Sequence, residues 1–248
     1  MRASLSRVLN RQLYFLGSRV PLVVAVLIGL TLAGSILGAV GHRNGFPILL
    51  QWGELAPDLV WAGQLWRLLS WPFFETDGLA LIFACLALWW FGRDLASSFG
   101  PAGFLGRYLA VAALTGVGVC LLARFAWPAL GSARFMGAWP LVDAMIVTWA
   151  IFYPHRQILF FFVLPLGGRN LVYVTVALTV LFALLDGFAR FLPHFLALAV
   201  TLAYMRDPSL LYLWLRLKLA WERRGGRRRS SHLRAVDGED PRRSPWLH

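Results

Sequence analysis

Apolar residues run along this chain in six long windows, 20–40, 78–97, 103–123, 137–153, 170–187 and 188–205, punctuated by glycine, proline and charge. A helix needs about 20 mainly apolar residues to cross a bilayer, so the pattern predicts six membrane helices. Several windows are short or touched by charge, and their ends then need protection from neighbouring helices. The run ILFFFVLPL, residues 158–166, is too short to span, and Pro165, Gly167 and Gly168 break it before Arg169. It is expected to lie at the interface and lead into the fifth helix.

Composition turns this pattern into an integral membrane protein. The 248 residues are 58% hydrophobic and 15% charged, where a soluble domain carries about 25% charge. The net charge of +12 resembles a nucleic-acid footprint until its distribution is read. Arg2, Arg7, Arg11 and Arg19 crowd the start, and eleven Lys/Arg lie between Arg206 and Arg243. Basic ends around a charge-poor body are a topology signal, so no nucleic-acid partner is expected. Six spans place both ends on one side, which the positive-inside rule makes cytoplasmic, with Arg93, Arg107, Arg156 and Arg169 on that side. Arg outnumbers Lys 23 to 1, which points to a GC-rich bacterial genome and a bacterial cytoplasmic membrane. The first apolar run has no small-residue cleavage site and is expected to stay as a helix. Cys85 and Cys120 sit within apolar runs without metal or disulfide spacing, and neither a metal nor a cofactor is expected.

The chain thus divides into a basic cytoplasmic N-terminus (1–19), a six-helix membrane domain (20–206), a basic juxtamembrane segment (207–229) and a disordered tail (230–248). The juxtamembrane segment alternates Leu and Trp with Arg216 and Lys218 and is expected to lie along anionic lipid. The long first loop, 41–77, is rich in Trp, Gly and Pro and has few charges. It is expected to be half buried at the interface, as a functional element or a structural brace.

An ionisable residue within a span is a candidate functional residue, because its desolvation must be offset. Asp143 lies in the fourth span, Asp186 ends the fifth, and Arg190 and His194 begin the sixth. Asp143 and His194 can meet if the fourth and sixth helices pack together, and the carboxylate would then orient the imidazole. A hydrolase also needs a nucleophile beside that histidine. Trp139 stands at the entrance of the fourth helix, and the nearest serine is Ser132, in LGSARFMG.

Taken in order, these parts resemble the rhomboid family of intramembrane serine proteases over about residues 20–206. Trp66-Arg67 in GQLWRLLSWPF resembles the family's first-loop Trp-Arg motif. LALIFACLALWWFGRDLASSFGPAGFLGRYL resembles its second helix and the turn into the third. MGAWPLVDAMIVTWAIFYPHRQILFFFVLP resembles its fourth helix and exit, and ARFLPHFLALAVTLAYM its sixth. The resemblance implies an all-α bundle of six transmembrane helices, and in active members a serine-type endopeptidase. It also implies what this chain lacks. The family's Gly-x-Ser-Gly stretch matches Gly137, Ala138, Trp139 and Pro140, so Trp139 holds the serine position. The oxyanion His and Asn match Ala80 and Ala84, and Glu75 stands where a loop histidine is common. His194 is the remnant of the catalytic set, while Ala189, Ala197 and Thr201 take the places of small residues used for close helix contact.

Without a hydroxyl or thiol no acyl-enzyme forms, and each missing oxyanion donor removes about 2.7–4 kcal/mol of transition-state stabilisation. A tryptophan side chain would also fill the space of a scissile peptide, and Pro140 suits the first helical position. The leading expectation is a pseudoprotease that binds transmembrane segments of client proteins, with Trp66, Arg67, Gly137, Pro140, Asp143, His194, Ala197 and Thr201 as structural or binding residues. Two alternatives stand beside it: an active protease using an unrecognised nucleophile such as Ser132, and a transporter coupled through Asp143, Asp186 and His194.

Overall fold

The computed structural model describes residues 12–15, 18–160 and 164–206; the juxtamembrane and tail segments lie outside them. A short antiparallel hairpin, β1 (Gln12–Phe15) and β2 (Ser18–Pro21), precedes the first helix. The charge pattern of the N-terminus gave no hint of it.

Helix α1 (Leu22–Arg43) buries Val23, Val24, Leu27, Thr31, Ser35 and Gly38 on one face, a spacing of three to four residues that tracks the helical repeat. Its opposite face stays apolar and exposed, as a helix wetted by lipid requires. The loop after it is ordered rather than open. It carries three short helices, α2 (Ile48–Gly53), α3 (Pro57–Trp61) and α4 (Arg67–Ser70), and a 3₁₀ turn at Trp71–Phe73. Backbone pairing of Leu55 with Phe135, at 2.8 and 3.0 Å, ties this loop to the segment before the fourth long element. Trp71, fully buried, and Leu55 pack beneath the loop with Val119, Cys120 and Leu130. The loop is therefore an ordered element packed on α6 through an apolar cluster of its own.

Helix α5 (Gly78–Phe99) starts at Asp77, whose Oδ1 accepts from Ala80 N at 2.7 Å, the usual N-cap bond. Gly100, at φ +72°, turns the chain and Pro101 opens α6 (Pro101–Phe125). Helix α7 (Trp139–Phe152) is the most enclosed, with nine of its 14 residues buried, and it packs against α5, α6 and α8. The run 158–166 enters a second antiparallel hairpin, β3 (Gln157–Phe160) with β4 (Leu164–Gly167), before α8 (Gly168–Asp186) and α9 (Phe188–Arg206). Pro193 lies within α9.

Each of the six apolar windows holds one long helix. Five of these helices are long and apolar enough to cross a membrane. The 137–153 window differs: α7 is about 21 Å long at 1.5 Å per residue, short of the roughly 30 Å hydrocarbon core. Surrounding helices bury it from Pro140 to Met145 and again at Val147, Trp149 and Ala150, while Ile151 and Phe152 stay exposed, so Asp143 sits inside the protein.

Candidate functional site

The site forms where α7 begins, beneath the 41–77 loop. Gly137 precedes the helix at φ +112°, a conformation that only glycine adopts without strain. The turn brings Gly137 N to the Trp71 carbonyl at 3.1 Å and lays the Glu75 carboxylate over Gly137, where a Cβ would meet Glu75 Oε2 at 2.8 Å. Glu75 Oε1 accepts the Thr76 N–H at 3.1 Å, the backbone N–H groups of Asp77 and Ala138 favour the charged carboxylate, and the Glu75 N–H donates to Ser35 Oγ of α1 at 2.8 Å. Burial nevertheless raises the Glu75 pKa above its ordinary value of 4.5, outweighing those donors. Ala138 is fully buried. Trp139 is partly buried and packs on the main core. Pro140 is buried and takes the second helical position rather than the first, because Trp139 is already helical; the N–H it lacks would have had no helical partner at either place.

One turn deeper, Asp143 and His194 meet. His194 Nδ1 lies 2.7 Å from Asp143 Oδ2, with the two side chains 16% and 10% exposed. Thr179 Oγ1, on α8, also donates to Asp143 Oδ2 at 3.3 Å and to the Thr175 carbonyl at 2.9 Å. Three helices thus converge on one carboxylate. Of the other span-end charges, Asp186 and Arg190 are exposed and stand outside this cluster. Ala84 is fully buried and Ala80 partly so, and neither side chain offers a donor. On α9, Ala197 and Thr201 are buried at 0% and 1% exposure and face inward as small residues.

Ser132 is exposed and its carbonyl takes Arg134 Nη1 at 3.0 Å; no hydrogen bond joins its hydroxyl to His194 among the described residues. The transporter reading has no support among them either, since the buried threonines below Asp143, Thr175 and Thr179, bond their own helix backbone. A cleft of about 400 Å³ at the 41–77 loop, lined by Gln51, Trp52, Glu54, Gln64, Trp66 and Arg134 among others, is a separate feature. Its charges satisfy one another: Arg134 bonds Glu54 at 3.2 Å and Asp58 at 3.0 Å. Trp66 is 46% exposed and donates through Nε1 to the Trp52 carbonyl at 3.3 Å, whereas Arg67 is 3% exposed and bonded on three sides. Nothing along the string announces the contact of Thr179 with Asp143 or that of Glu75 with Gly137; both join residues 36 or more positions apart.

Two predictions follow from this geometry. Gly137→Ala is expected to cost about 2–3 kcal/mol, combining the forbidden φ with displacement of Glu75. Gly78→Ala is its control, because a Cβ at Gly78 meets nothing within 4 Å. Thermal unfolding in detergent should show a clear loss for the first and almost none for the second; equal shifts would refute the contact. The second concerns pH. A carboxyl whose folded pKa is raised contributes stability that is fully present below its unfolded pKa and is lost as pH rises through the folded one. Wild-type Tm should therefore fall as pH is raised from about 4 towards neutrality, and Glu75→Gln should flatten part of that slope. An unchanged slope in Glu75→Gln would remove Glu75 as its source.

Comparison with known families bears on the whole arrangement. A model of the Rhomboid domain matches residues 62–206, a stretch that contains α4 to α9, Glu75, Trp139, Asp143 and His194. No curated protein matches the chain significantly. A match over more than half of the chain, on the helices that build this site, makes the protein a member of the rhomboid family.

Proposed function

We propose that this rhomboid-family protein is a pseudoprotease that binds transmembrane segments of other membrane proteins. In this reading it has six membrane helices, cytoplasmic termini and a place in a bacterial cytoplasmic membrane. The observation that carries it is the entry of α7. Trp139 occupies the register of the family's serine, and the Glu75 carboxylate lies over Gly137, two residues before it. The chain also holds alanines, Ala80 and Ala84, at the positions matching the family's oxyanion side chains, where each missing donor removes about 2.7–4 kcal/mol of transition-state stabilisation.

The Asp143–His194 pair supplies a base with an orienting carboxylate, but a base without a nucleophile makes no acyl-enzyme. What remains is a helix entry that carries a large, partly buried aromatic, Trp139, packed on the main core. Small buried residues on α9 suit close approach of helices. The serine-protease alternative rests on Ser132, which lies in an exposed loop.

Purified protein incubated with a fluorophosphonate probe and a generic transmembrane substrate tests the first half of the proposal. No labelling and no cleavage are expected; modification of Ser132, or any cleavage, would overturn it. Photocrosslinking in membranes from position 139 tests the second half and should capture discrete transmembrane clients. Capture of lipid alone would sink client binding.

A further inference from the structure

We propose that the open edge of His194 is a recognition point for an amide or hydroxyl side chain carried by the bound transmembrane segment. This rests on the client-binding reading above and names the kind of client. The imidazole is held on several sides. Nδ1 is fixed on Asp143 at 2.7 Å, Asp143 is fixed by Thr179 on α8, and the Phe191 ring lies 4.9 Å from the imidazole at a tilt of 30°. Phe182 of α8 stacks on Phe191 in turn, at 6.3 Å. The ring orientation is therefore set before any partner arrives.

The second ring nitrogen, Nε2, has no hydrogen-bond partner among the described residues, and it is not one of the sealed polar atoms. This separates it from the hydroxyls of Thr115 and Thr201, which also lack partners but are closed off at 0% and 1% exposure. Those hydroxyls cannot meet a ligand, whereas the His194 edge can. A polar atom facing an apolar surround without a partner is costly, so a hydrogen bond brought to it by an incoming helix is favoured. An amide or hydroxyl both donates and accepts, and so fits Nε2 whether the ring is neutral or protonated. A charged side chain costs far more to bring to this depth. The exposed apolar face of α8, including Leu178, Phe182 and Leu185, offers flanking contact for the remainder of the helix.

The test uses the full chain in nanodiscs and a dilute Leu/Ala model transmembrane peptide. One Asn is placed at successive depths and compared with the all-apolar parent. At the matching depth the Asn peptide should bind about threefold to thirtyfold more tightly, the size of one interhelical hydrogen bond in a bilayer. That difference should vanish in His194→Phe. Equal binding of the two peptides to the wild-type chain at every depth overturns this inference and leaves the client-binding reading standing. A preference for Asn that survives in His194→Phe also overturns it. If neither peptide binds, both readings fail. The wild-type comparison decides the matter even if His194→Phe does not fold.

Discussion

Arg67→Ala is expected to cost about 3–5 kcal/mol and to release the 41–77 loop. The side chain is 3% exposed. Its Nε donates to Gln64 Oε1 at 2.8 Å, and Nη1 donates to the Glu54 carbonyl at 2.8 Å and to the Gln51 carbonyl. One planar guanidinium therefore closes the C-terminal end of α2, the residue after it, and the turn before α4. Truncation leaves these acceptors with no donor in a half-buried loop, at about 1–3 kcal/mol for each group that water cannot reach, and opens a cavity besides. Arg67→Lys should recover less than half of the loss, because an ammonium on a flexible stem cannot present donors on two sides at once. Limited proteolysis within 41–77, alongside detergent unfolding, checks both. Cutting in the alanine variant at no more than the wild-type rate would show that the loop is held by its apolar core instead.

The same loop marks where the sequence was readable and where it was not. The six helices were legible because lipid imposes a long apolar run on each, and their boundaries fall within a few residues of the windows. The loop's own short helices were not, because its order comes from contacts distant in sequence: Leu55 with Phe135, Trp71 with Gly137, Ser70 Oγ with the Gly53 carbonyl. Neither hairpin had an alternating pattern to announce it. At the site, Trp139 in the serine register could be read from the string. The Asp143–His194 contact could be posed as a condition, because both are ionisable and fall in spans. Glu75 could be read only as a departure from a pattern. That it lies over Gly137 depends on a φ of +112° and on Ser35 of α1, neither of which a linear sequence displays.

Asp143→Leu is expected to lose about 3 kcal/mol, and the reason decides what the polar cluster is for. Breaking a buried pair by removing one partner typically costs about 3–5 kcal/mol when it is ionic and less when it is a hydrogen bond. The lower end applies, since Thr179 keeps its bond to the Thr175 carbonyl and the His194 side chain retains 16% exposure. The informative comparison is the double change Asp143→Leu/His194→Leu. If most of the single-variant cost is a stranded imidazole, removing that imidazole as well lets apolar packing take over, and the double variant regains stability. A positive coupling of about 1–3 kcal/mol in a double-mutant cycle is the expected result. Additive losses would mean that the two side chains contribute as separate packing units and that their 2.7 Å contact carries little energy. Asp143→Asn separates charge from shape, since it keeps an acceptor for His194 Nδ1 and should lie between wild type and Asp143→Leu. A client-binding groove with His194 oriented at its wall requires the coupling to be positive, because an imidazole that Asp143 does not hold presents no fixed edge to a partner helix.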